Sequence, residues 1–461
     1  MPDFPDDSTR VPAPQSVVSE RNRSRTLWHL YHYGISSRAQ IAKALGLTPA
    51  AITKITARLI DAGIVTETGD MKGSKRRRSI GLKIDTERFH FIGVKFARSL
   101  VQIGVFDLKG TRLSLADMPR VSDDTIDAAI AATHKAIDSL LKTDHDIVAI
   151  GMAVPGPYLH GTGYAALVSS MPHWRNINFQ KEFGQDCPVP VFIEQDARAG
   201  ALAQRLFGGF DDAGSLAYFL LGEGVGLGVI ENGRLVYGNL GASTELGHVS
   251  IDAVNGKKCE CGNVGCLECY CSAGAIHEQI DKLGIVEGSE AMTHIEACQA
   301  LFAQSQDSNG ASDVSAKAST GSDHTNKGSN NTTCNIDTES DNAGTNSGTS
   351  AADAERIAKA RQLVAEIGRY VGYGCVIICN AFNPKRIVLG DIGALGGQQL
   401  IDAAQAVVDQ RVIPEIAQST EITFSGLPTD AAVLGAAATA ITQFLDRPSY
   451  FRAAHPPGNA E

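Results

Sequence analysis

Between Glu245 and Glu268 the chain reads Glu-Leu-Gly-His and then Cys-Glu-Cys-Gly-Asn-Val-Gly-Cys-Leu-Glu, which places His248, Cys259, Cys261 and Cys266 within 19 residues. One imidazole and three thiolates suffice for a closed tetrahedral Zn2+ site, and a closed site has no open position for chemistry, so such an ion is structural. Gly262 and Gly265 permit the tight backbone needed to wrap an ion held by ligands so close in sequence. Cys269 and Cys271 follow at once and are either competing ligands or small buried residues. Ten cysteines in 461 residues, several crowded into this segment, indicate metal and not a disulfide framework. Glu245 and Glu268 flank the cluster. With Asp196, at the end of an expected strand, they are either acceptors for a polyhydroxylated ligand or loop carboxylates at the surface.

Charge divides the chain unevenly. Residues 20–84 hold 13 Lys and Arg against 4 Asp and Glu, and the remainder holds 28 against 47. A basic head on an acidic body suits a polyanion-binding module joined to something else. Periodicity supports this. Leu27, Leu30 and Tyr31 predict a helix over about 21–33; Ser37 and Gln40 form a capping-box pattern ahead of a second helix that Gly46 ends. Thr48 and Pro49 open a third, whose buried stripe is Ile52, Ile55, Leu59 and Ile60. The opposite face carries Ala50, Thr53, Lys54, Ala57 and Arg58. Ile64–Thr66 and Ser79–Ile84 read as the two strands of a hairpin with Lys75-Arg76-Arg77-Arg78 at its tip. Together these describe a winged helix-turn-helix over residues 19–85, its third helix suited to the major groove of double-stranded DNA. Arg38, Ala50, Thr53, Lys54 and Arg58 are the candidate contacts to bases and phosphates, and Arg76, Arg77 and Arg78 the candidates for the minor groove.

From Phe91 onward strands and helices alternate, which implies an α/β body of two lobes. Its expected strands include IVAIGMAV, ending at Pro155-Gly156-Pro157, and VPVFIEQDA, ending at Gln195-Asp196. SLAYFLLGEGVGLGVIENGRLV reads as a glycine-punctuated hairpin, KRIVLGDIG as a later strand and DAAVLGAAATAITQFL as the closing helix. Residues 304–352 break the pattern with Ser, Thr, Asn, Asp and Gly, and their composition predicts a disordered insertion. The longest apolar stretch, Ala431 to Ile441, is too short to span a bilayer, which needs about 20 residues. The first residues, MPDFPDDSTRVPAPQS, lack the basic end and apolar run of a secretory signal, so a cytoplasmic protein without membrane contact is expected.

The run from Leu221-Gly-Glu-Gly-Val-Gly-Leu-Gly through Gly247-His248 to Cys259-x-Cys261-Gly-x-x-Gly-Cys266-x-Glu268 resembles the signature of the ROK family of repressors, open reading frames and kinases. The head is similar to that of its repressor branch, which includes the xylose and N-acetylglucosamine regulators. The resemblance implies an actin/hexokinase-like (ribonuclease H-like) body whose cleft binds a sugar. It implies sugar contacts from Gln195, Asp196, Glu245, His248 and Glu268, with the histidine binding zinc through one ring nitrogen and sugar through the other. It also implies lobes at 86–200 and 201–430, a zinc loop at 245–268, a C-terminal helix at 431–446 packing back on the first lobe, and tails at 1–18 and 447–461.

Departures from the pattern bear on catalysis. Kinases of the family carry Asp-x-Gly-Gly-Thr on the first strand, where this chain has Lys95-Phe96-Ala97-Arg98-Ser99. Their Gly-Thr-Gly is Gly222-Glu223-Gly224 here, and their Gly-Gly-Gly is Gly390-Asp391-Ile392-Gly393. Phosphates need close backbone approach, which side chains at glycine positions obstruct. The expectation is a non-catalytic, sugar-responsive repressor of carbohydrate-utilisation genes, modulated by a sugar or sugar phosphate and acting on operator DNA as a homodimer or homotetramer. The alternative is an ATP-dependent sugar kinase with an added DNA-binding head, in which Asp196 is the general base.

Overall fold

The computed structural model describes residues 15–70, 79–97, 100–166, 171–209, 214–306, 351–427 and 431–451. The basic head comprises α1 (Gln15–Tyr33), β1 (Ser36–Ser37), α2 (Arg38–Leu45), α3 (Pro49–Asp61), β2 (Val65–Asp70) and β3 (Ile80–Ile84). Ser37 and Gln40 close a complete capping box on α2, Gly46 ends that helix at φ +65, and the Thr48 hydroxyl caps α3 by accepting from the Ala51 amide. The strands form one antiparallel sheet in the order β1-β3-β2. The two-serine strand β1 carries no hydrophobic alternation and was not expected. Helix α1 starts at Gln15, ahead of both the expected helix start and the end of the expected 1–18 tail. Tertiary contact explains the extension: Glu20 binds Arg23 one turn on and accepts the amide of Ser449 at 3.0 Å.

The first lobe contains β4 (His90–Phe96), β5 (Val101–Phe106), β6 (Arg112–Asp117), α4 (Ile126–Thr143), β7 (Ile147–Val154), a short hairpin β8 (Tyr158–Leu159) and β9 (Tyr164–Ala165), α5 (Phe179–Gly184) and β10 (Val191–Gln195). Its sheet runs β6-β5-β4-β7-β10, antiparallel through β4–β6 and parallel across β4, β7 and β10. Helix α6 (Asp196–Phe207) follows directly and runs across residue 200, where the sequence placed the lobe boundary.

The second lobe holds β11 (Leu216–Leu221), β12 (Val225–Glu231), β13 (Arg234–Leu235), α7 (Glu268–Cys271), α8 (Ala273–Leu283), α9 (His294–Gln306), α10 (Ala351–Phe382), β14 (Arg386–Asp391), α11 (Gly397–Arg411), α12 (Pro414–Ala417) and β15 (Glu421–Phe424). Its sheet order, β13-β12-β11-β14-β15, repeats that of the first lobe: an antiparallel meander continued by parallel strands. This duplicated pattern is that of the actin/hexokinase-like fold. The expected insertion at 304–352 contributes its first residues to α9 and its last to α10, and residues 307–350 lie outside the described ones.

The last helix, α13 (Ala431–Asp446), lies across the first sheet and against α6. Glycines make that approach possible: a Cβ on Gly151 would stand 1.8 Å from the Ala436 carbonyl oxygen, and one on Gly93 2.5 Å from that of Val433. The expected tail at 447–461 is in part core, because Phe451 is buried against Phe444 and Phe192. Leu27, Leu30, Ile52, Leu59 and Leu82 of the head form one continuous apolar cluster with Phe89, Phe91, Val433, Phe444 and Phe451 of the body. No described helix is long and apolar enough to cross a membrane.

Candidate functional site

In a fold of this kind ligands bind beyond the carboxyl ends of the parallel strands, where the chain leaves the sheet. Lys95 near the end of β4, Gln195 and Asp196 at the β10–α6 junction, the Gly222–Gly224 turn between β11 and β12, and Asp391 at the end of β14 converge on one cleft between the lobes. Glu245, His248 and Glu268 line the same cleft, so all five residues expected to contact sugar meet there.

Several of these groups are already engaged. Lys95 Nζ lies 3.2 Å from Asp196 Oδ2, and Asp196 Oδ1 accepts from the Ala197 amide at 2.8 Å. Glu268 Oε2 accepts from the Val225 amide at 3.0 Å. Beneath the floor, Glu194 and Arg198 form a fully buried ion pair at 2.6 Å, and His160 approaches the other Glu194 oxygen at 3.2 Å. Two acceptors of the cleft residues, Gln195 Oε1 and Glu245 Oε1, are buried with no hydrogen-bond partner among the described residues. A buried unpaired acceptor is costly, and in a cleft it is a place for a donor on a ligand. Burial raises the Glu245 carboxyl to about 7; nearby Arg198 opposes the shift, and Asp196 and Glu268 add to it. Asp391 keeps solvent contact through the cleft. Loss of hydration between the walls nonetheless raises its carboxyl to about 6, with Lys95 opposing and Asp196 and Glu223 adding.

His248, Cys259, Cys261 and Cys266 bring one ligand atom each within 4.8 Å of one another. The Cys261 and Cys266 sulfurs are 3.7 Å apart, and Cys259 Sγ is 3.7 Å from His248 Nδ1. A tetrahedral ion with metal–sulfur bonds of about 2.3 Å sets ligand-to-ligand edges of roughly 3.6–3.8 Å, so this donor set fits one. His248 Nδ1 faces the cysteines, leaving Nε2 for the cleft. Cys269 lies outside the group with its thiol toward the Lys258 carbonyl oxygen, and Cys271 is buried.

In the head, Ala50, Thr53, Lys54 and Arg58 are exposed on one side of α3. Arg38 is engaged within the head, its guanidinium donating to Thr56 Oγ1 at 3.0 Å and to Glu67 Oε1 at 2.8 Å. Arg76, Arg77 and Arg78 lie outside the described residues. Sequence reasoning missed the seam between head and body. There the Arg205 guanidinium of α6 lies 4.1 Å from the ring centre of Trp28 of α1, and the Trp28 indole donates to Asp446 of α13 at 2.7 Å.

Comparison with known proteins follows these features. The family model described as "ROK family" matches residues 91–443. The DNA-binding transcriptional dual regulator NagC of Escherichia coli is 26% identical over 90% of this chain and 91% of its own length. The xylose repressor of Bacillus spizizenii is 26% identical over 94% and 98%. Among solved structures, a ROK family transcriptional regulator homologous to the E. coli MLC protein superposes with a TM-score of 0.69 at 24% identity, covering 94% of this chain and 97% of its own. A ROK hexokinase from Thermus thermophilus superposes with a TM-score of 0.51 at 23% identity, covering 76% and 97%. A share of 94% includes most of the residues ahead of Phe91; a share of 76% needs none of them.

Proposed function

Because the chain belongs to the ROK family, we propose that it is a sugar-responsive transcriptional repressor of carbohydrate-utilisation genes. Residues 19–85 are its winged helix-turn-helix. Thr53 and Lys54 of α3 meet bases and phosphates in the major groove, Arg58 meets the backbone, and Arg76–Arg78 at the wing tip enter the minor groove. Arg38 positions α3 through Thr56. Reading a two-fold-related operator takes a homodimer or homotetramer in the cytoplasm, since one such module covers only a half-site.

The sugar lies in the cleft, its hydroxyls donating to Gln195, Asp196, Glu245 and Glu268 and meeting His248 Nε2. Zinc held by His248, Cys259, Cys261 and Cys266 fixes the loop and the histidine ring. From the cleft, α6 leads to the head as a single rigid element: Asp196 is its first residue and Arg205, near its end, lies on Trp28. A ligand that moves α6 therefore moves α1, and through the shared core the spacing of paired heads.

The observation that carries the choice of regulator over kinase is the Lys95–Asp196 ion pair. A general base must be free to take a proton from the attacking hydroxyl. Here the carboxylate in that place is tied to a lysine that has replaced the family's metal-binding acid. Selection of genomic fragments by the purified protein, repeated with a panel of sugars, tests the proposal. One palindromic site, released or tightened by one sugar, is expected. No specific fragment under any condition, or ATP turnover with a hexose that is lost on Asp196→Asn, would overturn it.

A further inference from the structure

Among the described residues the cleft's lining holds five carboxylates, Asp196, Glu223, Glu245, Glu268 and Asp391, against one lysine, and that lysine is paired with Asp196. Three of the five, Asp196, Glu223 and Asp391, stand together by the Gly222–Gly224 turn, near enough that the first two push the Asp391 carboxyl up. The Gly222 amide there donates within its own turn to the Gly224 carbonyl at 3.0 Å. A Cβ on Gly222 would stand 2.8 Å from Asp391 Oδ2, so the loop lies against a carboxylate. The N-terminus of α6, otherwise attractive to anions, is turned inward on the Asp196 carboxylate by the Ala197 amide. Glu223 completes the wall, its carboxylate held at 3.0 Å by His294 of α9. Asp391 adopts φ 55 and ψ −131, a conformation costly for any residue but glycine, so an acid stands where the backbone itself would favour none.

We infer that the effector carries no phosphate on the hydroxyl that Asp196 holds, and that Glu223 and Asp391 enforce this by facing that position with negative charge. The inference rests on the sugar-responsive reading above and narrows it to unphosphorylated sugars. A phosphate there would add up to two negative charges beside carboxylates, with no unpaired lysine or arginine among the described lining residues to receive them. Where family kinases carry an acid on the first strand this chain has Lys95, and Glu223 and Asp391 add negative charge within the two later glycine loops.

With the hydroxyl at Asp196 taken as a hexose's 6-hydroxyl, the test is calorimetric titration of the full-length, zinc-loaded protein with glucose, mannose and N-acetylglucosamine, each beside its 6-phosphate. For whichever sugar binds, the free form is expected to bind at least tenfold tighter than the 6-phosphate. Glu223→Gln alone, and Glu223→Gln with Asp391→Asn, should each narrow that ratio by raising affinity for the 6-phosphate. The single variant keeps the test valid if the double one fails to fold. A 6-phosphate that binds as tightly as its parent sugar, or a ratio unmoved by both variants, overturns the inference and leaves the sugar-responsive reading standing. No binding by any of the six compounds refutes both for hexoses. A separate arm uses inorganic phosphate alone: binding that disappears on Lys95→Met places an anion in the cleft and overturns the inference whatever the sugars do.

Discussion

Glu245 is the residue whose chemistry is most open to measurement. Its raised carboxyl means that the folded chain binds a proton the unfolded chain has released across the window from about 4.5 to about 7. Stability from this group therefore falls as pH rises through that window, while the ionised carboxylate that the proposed sugar contact uses accumulates. Sugar affinity should rise between pH 6 and pH 8, and Glu245→Gln should flatten the profile; calorimetric titration across pH checks both. The proposed metal ligands give a second residue-scale prediction. Cys261→Ser should lower bound zinc from one per chain to well below one, by elemental analysis, and abolish the sugar response with it. These residues were legible in the sequence because their spacing is local. The Lys95–Asp196 pair was not, since nothing in the lysine's own neighbourhood announces an acid 101 positions away. The sequence showed a lysine where the family's kinases carry an acid, and only the fold showed what that lysine holds.

At the scale of elements, the sequence reads best where short-range rules act alone. The α2 capping box, the αL glycine after it and the Thr48-Pro49 start of α3 were all visible as residue pairs a few positions apart. Ser37→Ala should cost about 1 kcal/mol through loss of that cap, measurable by urea unfolding. The strands β1 and β6 escaped notice because neither alternates polar with buried apolar residues: β1 is two serines and β6 is exposed along its whole length. The seat of α13 was equally hidden, because a glycine in a strand does not say which helix will press against it. Gly151→Ala should be among the most damaging small substitutions in the chain, costing about 3 kcal/mol or lowering soluble yield, because its Cβ would overlap the Ala436 carbonyl oxygen.

For the whole molecule, the path from cleft to head predicts a separable phenotype. Arg205→Ala removes the contact between α6 and Trp28 without touching either binding surface. It should leave sugar affinity and operator affinity each within about threefold of the parent while reducing the effect of one ligand on the other. Because such coupling is reciprocal, the loss must be equal whether read as sugar binding with operator or as operator binding with sugar. A variant that loses operator affinity outright while the coupling of what remains is intact would make Arg205 a structural brace only.

The common core of head and body also bears on when the protein becomes competent. The residues that seal the apolar cluster begun by Leu27 and Leu30, Phe444 and Phe451, are made long after them. At roughly 5–20 residues per second, a ribosome needs about 20–80 s to pass from one set to the other. A nascent chain, or one truncated ahead of Phe444, thus carries the head without part of the core it shares with the body. For the proposed regulator, synthesis then acts as a timer: a message terminated ahead of Phe444 should yield no dominant half-regulator, and the head should reach operator DNA only when joined to its sensor.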